Sequence, residues 1–159
     1  MTMKRFTDFI EECLPQIQEV FPWDMEELME QKPDLLIVDI REPYEFEAYR
    51  IKNSINVPRG ILETACEWNY EETVPELVEA RERPVVLVCR SGNRSALAAL
   101  IMQQMGYKEV YSLKTGLRGW NDAEMPLLDR EGKTADVDEA EVYFTPNLRP
   151  EQLSPDQRG

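Results

Sequence analysis

The residue types best suited to chemistry in this chain are gathered between 84 and 106. They read Pro84-Val85-Val86-Leu87-Val88-Cys89-Arg90-Ser91-Gly92-Asn93-Arg94-Ser95, followed by an Ala- and Leu-rich segment that ends at Gly106. A cysteine is a strong nucleophile only as a thiolate. The chain contains no histidine, which excludes Ser-His-Asp and Cys-His catalysis and leaves ionisation of Cys89 to its own loop. Gly92 permits unusual backbone dihedrals, so successive N–H groups can converge on one point as an anion nest. The dipole of the following helix and the charges of Arg90 and Arg94 act in the same direction, and such surroundings favour the thiolate at neutral pH. Ser95, at the helix start, can donate its hydroxyl to the sulfur or cap the helix, and both roles stay open. The plain alternative is that Cys89 ends a buried strand as an inert small hydrophobe. Its combination with Gly92, Arg94 and Ser95 between a strand and a helix argues instead for a site.

The elements that must position this loop follow from apolar spacing. Val85 to Val88 is a short aliphatic run, then comes a polar turn, then a helix over 95–105 that is apolar almost all round, with Gly106 as its left-handed cap. Ligands of open α/β sheets bind outside the carboxyl ends of strands, which is where Cys89 falls. Leu35 to Val38 is a second fully apolar run, as a sheet buried on both faces requires, and it ends in Asp39-Ile40-Arg41-Glu42-Pro43. Apolar positions spaced by three and four predict a helical segment over 3–21, either kinked at Pro15 or split there into two short helices. Asp24 and Glu27 suggest a capping box opening a short helix through Glu30. Further helices are expected over 44–49, 61–68 and 70–81, and strands over 54–58 and 109–113. After Pro126 the pattern fades into an acidic tail, poorly ordered or wrapped on the surface, in which Val142-Tyr143-Phe144 could dock. Cys13 and Cys66 read as core residues.

Composition narrows the function. At 159 residues the chain suits one full core. A net charge of -13 argues against a nucleic-acid partner, since phosphate contacts need clustered Lys and Arg. From Arg83 to Trp120, however, six basic residues stand against the single acid Glu109, and from Glu63 to Glu79 six Glu stand against no base. The loop is therefore a positive island in the linear sequence, suited to a small anionic substrate. No run of about eighteen apolar residues exists, so no membrane span is expected. Acids at 8, 11 and 12 interrupt any signal-peptide core, which leads to an expectation of a cytoplasmic protein. Three cysteines without histidine match no zinc pattern, and no metal or cofactor is expected.

Four ordered motifs, Val38-Asp39-Ile40-Arg41-Glu42-Pro43-Tyr44-Glu45-Phe46, Ile55-Asn56-Val57-Pro58, Val88 through Ser95, and Gly116-Leu117-Arg118-Gly119-Trp120, carry a family likeness. Through them the stretch 22–126 resembles a single rhodanese domain. The resemblance implies an α/β fold with a central parallel sheet flanked by helices on both faces, preceded by an amino-terminal helical extension (1–21) and followed by the acidic tail (127–159). It implies a sulfurtransferase that moves sulfane sulfur from thiosulfate or a persulfide donor to a thiophilic acceptor, either a low-molecular-weight thiol or a sulfur-carrier protein. By the same resemblance Cys89 carries the persulfide and the backbone of Arg90, Ser91, Gly92, Asn93, Arg94 and Ser95 cradles it. Arg94 then orders the loop, Arg90 meets the anionic donor, and Asp39 and Arg41 support the loop from below. The chain departs from the family in having Tyr49-Arg50-Ile51-Lys52-Asn53-Ser54 where Gly-His-Ile and Gly-Ala are common, and Thr115-Gly116 where a Gly-Gly pair is usual. A cysteine phosphatase is the nearest rival enzyme. Its arginine stands six positions after the cysteine, in a loop wide enough for phosphate, whereas Arg94 stands five after Cys89. The rival outside catalysis is a rhodanese-like binding or thiol-sensing module.

Overall fold

The computed structural model describes residues 2–157, so Met1 of the amino-terminal segment and the last two residues of the tail lie outside it. Among the described residues five parallel strands form one sheet: β1 (Gln18–Val20), β2 (Leu36–Asp39), β3 (Ile55–Asn56), β4 (Pro84–Val88) and β5 (Glu109–Leu113). Their order is β1-β5-β4-β2-β3. Every residue of the central strands β2 and β4 is buried, which is why their sequences are apolar without alternation. Asp39 pairs with Val88, and Leu87 with Ser112, so the carboxyl ends of three strands are level at one edge.

Successive side chains feed two cores. Leu36, Val38, Val85, Leu87 and Val110 face α4 (Leu62–Ala65), α5 (Pro75–Val78) and α6 (Asn93–Gln104). Ile37, Val86, Val88 and Leu113 face α2 (Met25–Gln31), α7 (Gly116–Asp122) and α8 (Val137–Phe144). A further helix, α1 (Phe6–Cys13), packs on α6, and α3 (Pro43–Ala48) follows β2. The sheet is thus covered by helices on both faces, as the family likeness implied. No described helix is long and apolar enough to cross a membrane.

Several boundaries differ from expectation. The helix expected over 3–21 stops at Cys13; a tight turn spans Leu14–Gln16, Ile17 is extended, and Gln18–Val20 becomes the edge strand paired with β5. Pro15 cannot donate to a helical ladder, and beyond it the unpaired edge of β5 offers the backbone better partners. Asp24 makes no side-chain cap bond; a tight turn over Pro22–Asp24 leads into α2 instead. The two acidic helices expected over 61–68 and 70–81 shrink to α4 and α5, because Pro75 forces Val74 into an extended conformation. At the other end Asp136 Oδ1 accepts from the Glu139 N–H at 3.0 Å to start α8. Asn121 Nδ2 bonds the Val137 carbonyl at 2.9 Å, and Ala140 and Phe144 are buried in the second core.

Phe144 ties the carboxyl-terminal segment to that core, so Phe144→Ala is expected to lower unfolding free energy by about 3 kcal/mol in urea denaturation. A change below about 0.5 kcal/mol, the range of a surface substitution, would mean that α8 is a loose appendage.

Candidate functional site

The loop from Cys89 to Ser95 joins the end of β4 to the start of α6. Gly92 adopts φ 92°, and a Cβ there would press on the Thr115 amide and the Leu113 carbonyl. Gly116, at φ 61°, faces it across the same gap, where a Cβ would collide with the Arg90 carbonyl. The close approach of these two loops is what requires glycine at both places. It is sealed by the Leu117 N–H donating to the Cys89 carbonyl at 2.9 Å and the Arg118 N–H to the Arg90 carbonyl at 3.0 Å.

With the Cys89 and Arg90 carbonyls held by α7, the rest of the loop curls so that two of its N–H groups reach Cys89 Sγ. Those of Gly92 and Ser95 donate to the sulfur at 3.1 and 3.3 Å, and Ser95 Oγ lies 3.3 Å from it. Ser95 therefore contacts the sulfur with its hydroxyl and makes no side-chain cap bond. The amides of Ser91, Asn93 and Arg94 have no hydrogen-bond acceptor among the described residues. Cys89 itself is buried, so only a slender group can reach its sulfur. A cleft of about 500 Å³ lies against the loop at Ser91, walled further by Trp23, Thr115 and Arg118.

The arginines divide the surrounding work. Arg94 forms a two-pronged ion pair with Glu45 at 3.0 and 3.1 Å. The hydrogen bonds that Arg94 donates to Glu45 raise the Arg94 pKa against its burial, and the charges of Glu45, Cys89 and Asp39 add to the effect. Burial alone would raise Glu45, but the bonds from Arg94 and the Glu42 N–H, with the charges of Arg94 and Arg41, hold it below the usual carboxylate range. Arg90 points instead to the end of α8, donating from Nε and Nη2 to the Phe144 carbonyl at 3.3 and 2.9 Å. Asp39 and Arg41 are fully buried and bond to one another, with Arg41 Nη2 also reaching the Tyr49 carbonyl at 2.5 Å. Among the described residues neither hydrogen-bonds the loop from Cys89 to Ser95, although the Asp39 charge is felt at Arg94, and the neighbouring Ile40 N–H donates to the Val88 carbonyl at 3.0 Å. Arg41 Nη1 is buried without a partner.

Cys13 and Cys66 lie elsewhere. Burial, aided by Glu19, pushes the Cys13 thiol up, and its Sγ donates to the Ala96 carbonyl. Burial likewise raises Cys66 despite the nearby Tyr107 hydroxyl and Arg81. Three participants were not singled out from sequence: Glu45, Ser112 and the Phe144 carbonyl. Glu45, three residues after Glu42 and following Pro43, carries the signal of a helix start, and its Oε2 accepts from the Glu42 N–H at 3.0 Å. Ser112 is a polar residue at an inward position of a strand, which by itself signals a buried partner. Nothing local marks the Phe144 carbonyl.

Comparison with known proteins adds the following. The family described as rhodanese-like domain matches residues 22–123. The MOCS3 adenylyltransferase and sulfurtransferase of Drosophila virilis is 34% identical over 100 residues, 62% of this chain and 21% of that protein. The chain thus spans about a fifth of that relative. A protein named sulfurtransferase from Allochromatium vinosum is 28% identical over 116 residues, covering 73% of this chain and 99% of its own. Among solved structures, a protein of unknown function and possible tyrosine phosphatase from Rhodopseudomonas palustris CGA009 superposes with a TM-score of 0.70 at 32% identity. That superposition covers 79% of this chain and 96% of the other. Both of these curated relatives carry sulfurtransferase in their names.

The Glu45–Arg94 pair makes stability depend on pH. A carboxylate whose native pKa is depressed contributes fully above its unfolded value and loses that contribution as pH falls through the native one. Glu45→Gln is therefore expected to unfold at a lower temperature than the parent near pH 7. The two melting curves should converge as pH drops below about 4. A constant gap across that range would show that the pair does not carry the dependence.

Proposed function

Because the chain belongs to the rhodanese-like domain family, we propose that it is a sulfurtransferase that carries sulfane sulfur on Cys89. The observation that supports this most directly is the convergence on Cys89 Sγ of the Gly92 and Ser95 N–H groups with the Ser95 hydroxyl. Such donors stabilise negative charge on sulfur without a histidine, which the chain lacks. With thiosulfate as donor, the Cys89 thiolate attacks the outer sulfur. A sulfur–sulfur bond forms to Cys89, and sulfite leaves with the electron pair of the bond that breaks. An acceptor thiolate then attacks the sulfur held on Cys89, and the Cys89 thiolate is released. No oxidant or reductant enters the cycle.

The unpartnered amides of Ser91, Asn93 and Arg94 are available to the second sulfur. Arg90, although anchored at Phe144, keeps Nη1 without a hydrogen-bond partner among the described residues and can meet the anionic end of the donor. The cleft at Ser91, with Arg118 and the exposed Trp23 on its walls, gives a low-molecular-weight thiol or the tail of a sulfur-carrier protein a way to the loop.

Incubation with thiosulfate is expected to add one sulfur to the intact mass, and cyanide to release it as thiocyanate. Cys89→Ser abolishes both, while Cys13→Ser and Cys66→Ser keep them. Hydrolysis of an aryl phosphate with no sulfur uptake would overturn the assignment in favour of a phosphatase. Loss of one charge-assisted contact in Arg90→Ala is expected to raise the KM for thiosulfate about tenfold or more, and an unchanged KM would remove Arg90 from the donor site.

A further inference from the structure

Ser112 lies on β5 with no exposed surface and no sequence proximity to the loop, yet its Oγ stands 2.7 Å from Ser95 Oγ. Ser95 Oγ in turn stands 3.3 Å from Cys89 Sγ, and Ser112 Oγ is 3.5 Å from the Gly92 carbonyl. Four groups thus form an unbroken line, sulfur, hydroxyl, hydroxyl and carbonyl, that starts and ends on the same loop. We propose that Ser112 is a positioning residue for Cys89, acting through Ser95 as a hydroxyl relay whose direction reverses when the sulfur gains or loses its proton.

The donor count forces the reversal. Each serine hydroxyl has one proton to give. With Cys89 as a thiol, the S–H donates to Ser95, Ser95 to Ser112, and Ser112 to the Gly92 carbonyl. Once the thiol proton has left for solvent, the sulfur can only accept, so Ser95 turns its proton to the sulfur and Ser112 turns its own to Ser95. Two hydroxyl rotations accomplish this, and no other proton moves. Bonds that end on an anion are roughly twice as strong as neutral ones, and each bond in a chain polarises the next. The relay therefore favours the thiolate more than the thiol. Ser95 alone could serve either state, but without Ser112 its oxygen would accept nothing when it donates to the sulfur.

The charged groups around the loop are Arg90 on the loop itself, Arg94 of α6 with Glu45 of α3, and the Asp39–Arg41 pair at the end of β2. Lys114 and Arg118 follow β5. None of them hydrogen-bonds Ser112, whose oxygen partners are Ser95 and Gly92. Its effect on the sulfur is thus separable from theirs.

The inference rests on Cys89 being the reactive thiol, and its test reads alkylation rather than sulfur transfer, so the two can fail independently. Iodoacetamide labelling of the Cys89 peptide is followed by mass spectrometry across pH. In Ser112→Ala the labelling rate below the midpoint is expected to fall about three- to tenfold, with the midpoint displaced upward and the high-pH plateau retained. A purely structural loss would instead loosen the loop and raise labelling at every pH. Ser112→Thr and Ser112→Val share one shape and differ in the hydroxyl, so Thr should keep the parent midpoint and Val should lose it, which holds even if the Ala variant folds poorly. The Ser95→Ala/Ser112→Ala double variant should match Ser95→Ala alone, because Ser112 acts through Ser95. An unmoved midpoint in both Ala and Val variants, or full additivity in the double variant, would overturn the relay.

Discussion

The constraint on which the proposed chemistry depends is a buried sulfur, Cys89 Sγ, that would have to hold negative charge with no imidazole in the chain to help it. Hydrogen bonds from backbone N–H groups are the means available, and they exist only while the loop holds its curvature. The loop cannot hold itself. Two of its carbonyls, those of Cys89 and Arg90, are taken by the Leu117 and Arg118 N–H groups of α7, which fixes the first peptides of the turn from which the Gly92 and Ser95 N–H groups reach the sulfur. That contact in turn requires Gly92 and Gly116 to lie against one another, and it requires β4 and β5 in a register that ends them together. A side chain at either glycine would push the loops apart and remove donors from Cys89.

The charged groups are arranged around this backbone device rather than substituting for it. Arg94 is committed to Glu45, which pins the first turn of α6 to α3. Arg90 is committed at two of its nitrogens to the last turn of α8, where unpaired helix carbonyls favour a cation. That helix lies beyond the stretch the family matches and walls one side of the loop. Tyr143 and Phe144 extend the wall by packing on Tyr49, whose carbonyl already holds Arg41. The carboxyl-terminal segment and the Asp39–Arg41 pair are therefore parts of one assembly around the mouth of the loop.

What could be read from sequence follows the range of the interactions involved. Strands β2 and β4 were legible because burial on both faces leaves an apolar run with no alternation. The geometry of the candidate loop was legible in part because Cys89, Gly92 and Ser95, which meet at the sulfur, lie within seven residues. β1 was not legible: Ile17, Val20 and Phe21 continue the helical spacing of α1 by coincidence, and only the open edge of β5 decides otherwise. The positive island was legible as composition and misleading as a field. Arg94 and Lys114 find their acids in Glu45 and Glu19, far away along the chain, and Arg83 finds Glu76 seven residues before it. Ser112 and the Phe144 carbonyl meet the loop only through tertiary packing, which no local pattern encodes.

The same geometry bears on the proposed chemistry in a way that composition could not. A sulfur carried on Cys89 moves the negative charge outward by one sulfur–sulfur bond, about 2 Å. A cradle that fitted only the first position would oppose the transfer it serves. Here the Gly92 and Ser95 amides already meet Sγ, while those of Ser91, Asn93 and Arg94 are uncommitted in the same short turn. On the proposed chemistry, these uncommitted donors are the ones that would have to meet the outer sulfur. The hydroxyls of Ser95 and Ser112 complete the arrangement, since they can follow the charge by rotation alone, at the one place where the loop itself must stay fixed.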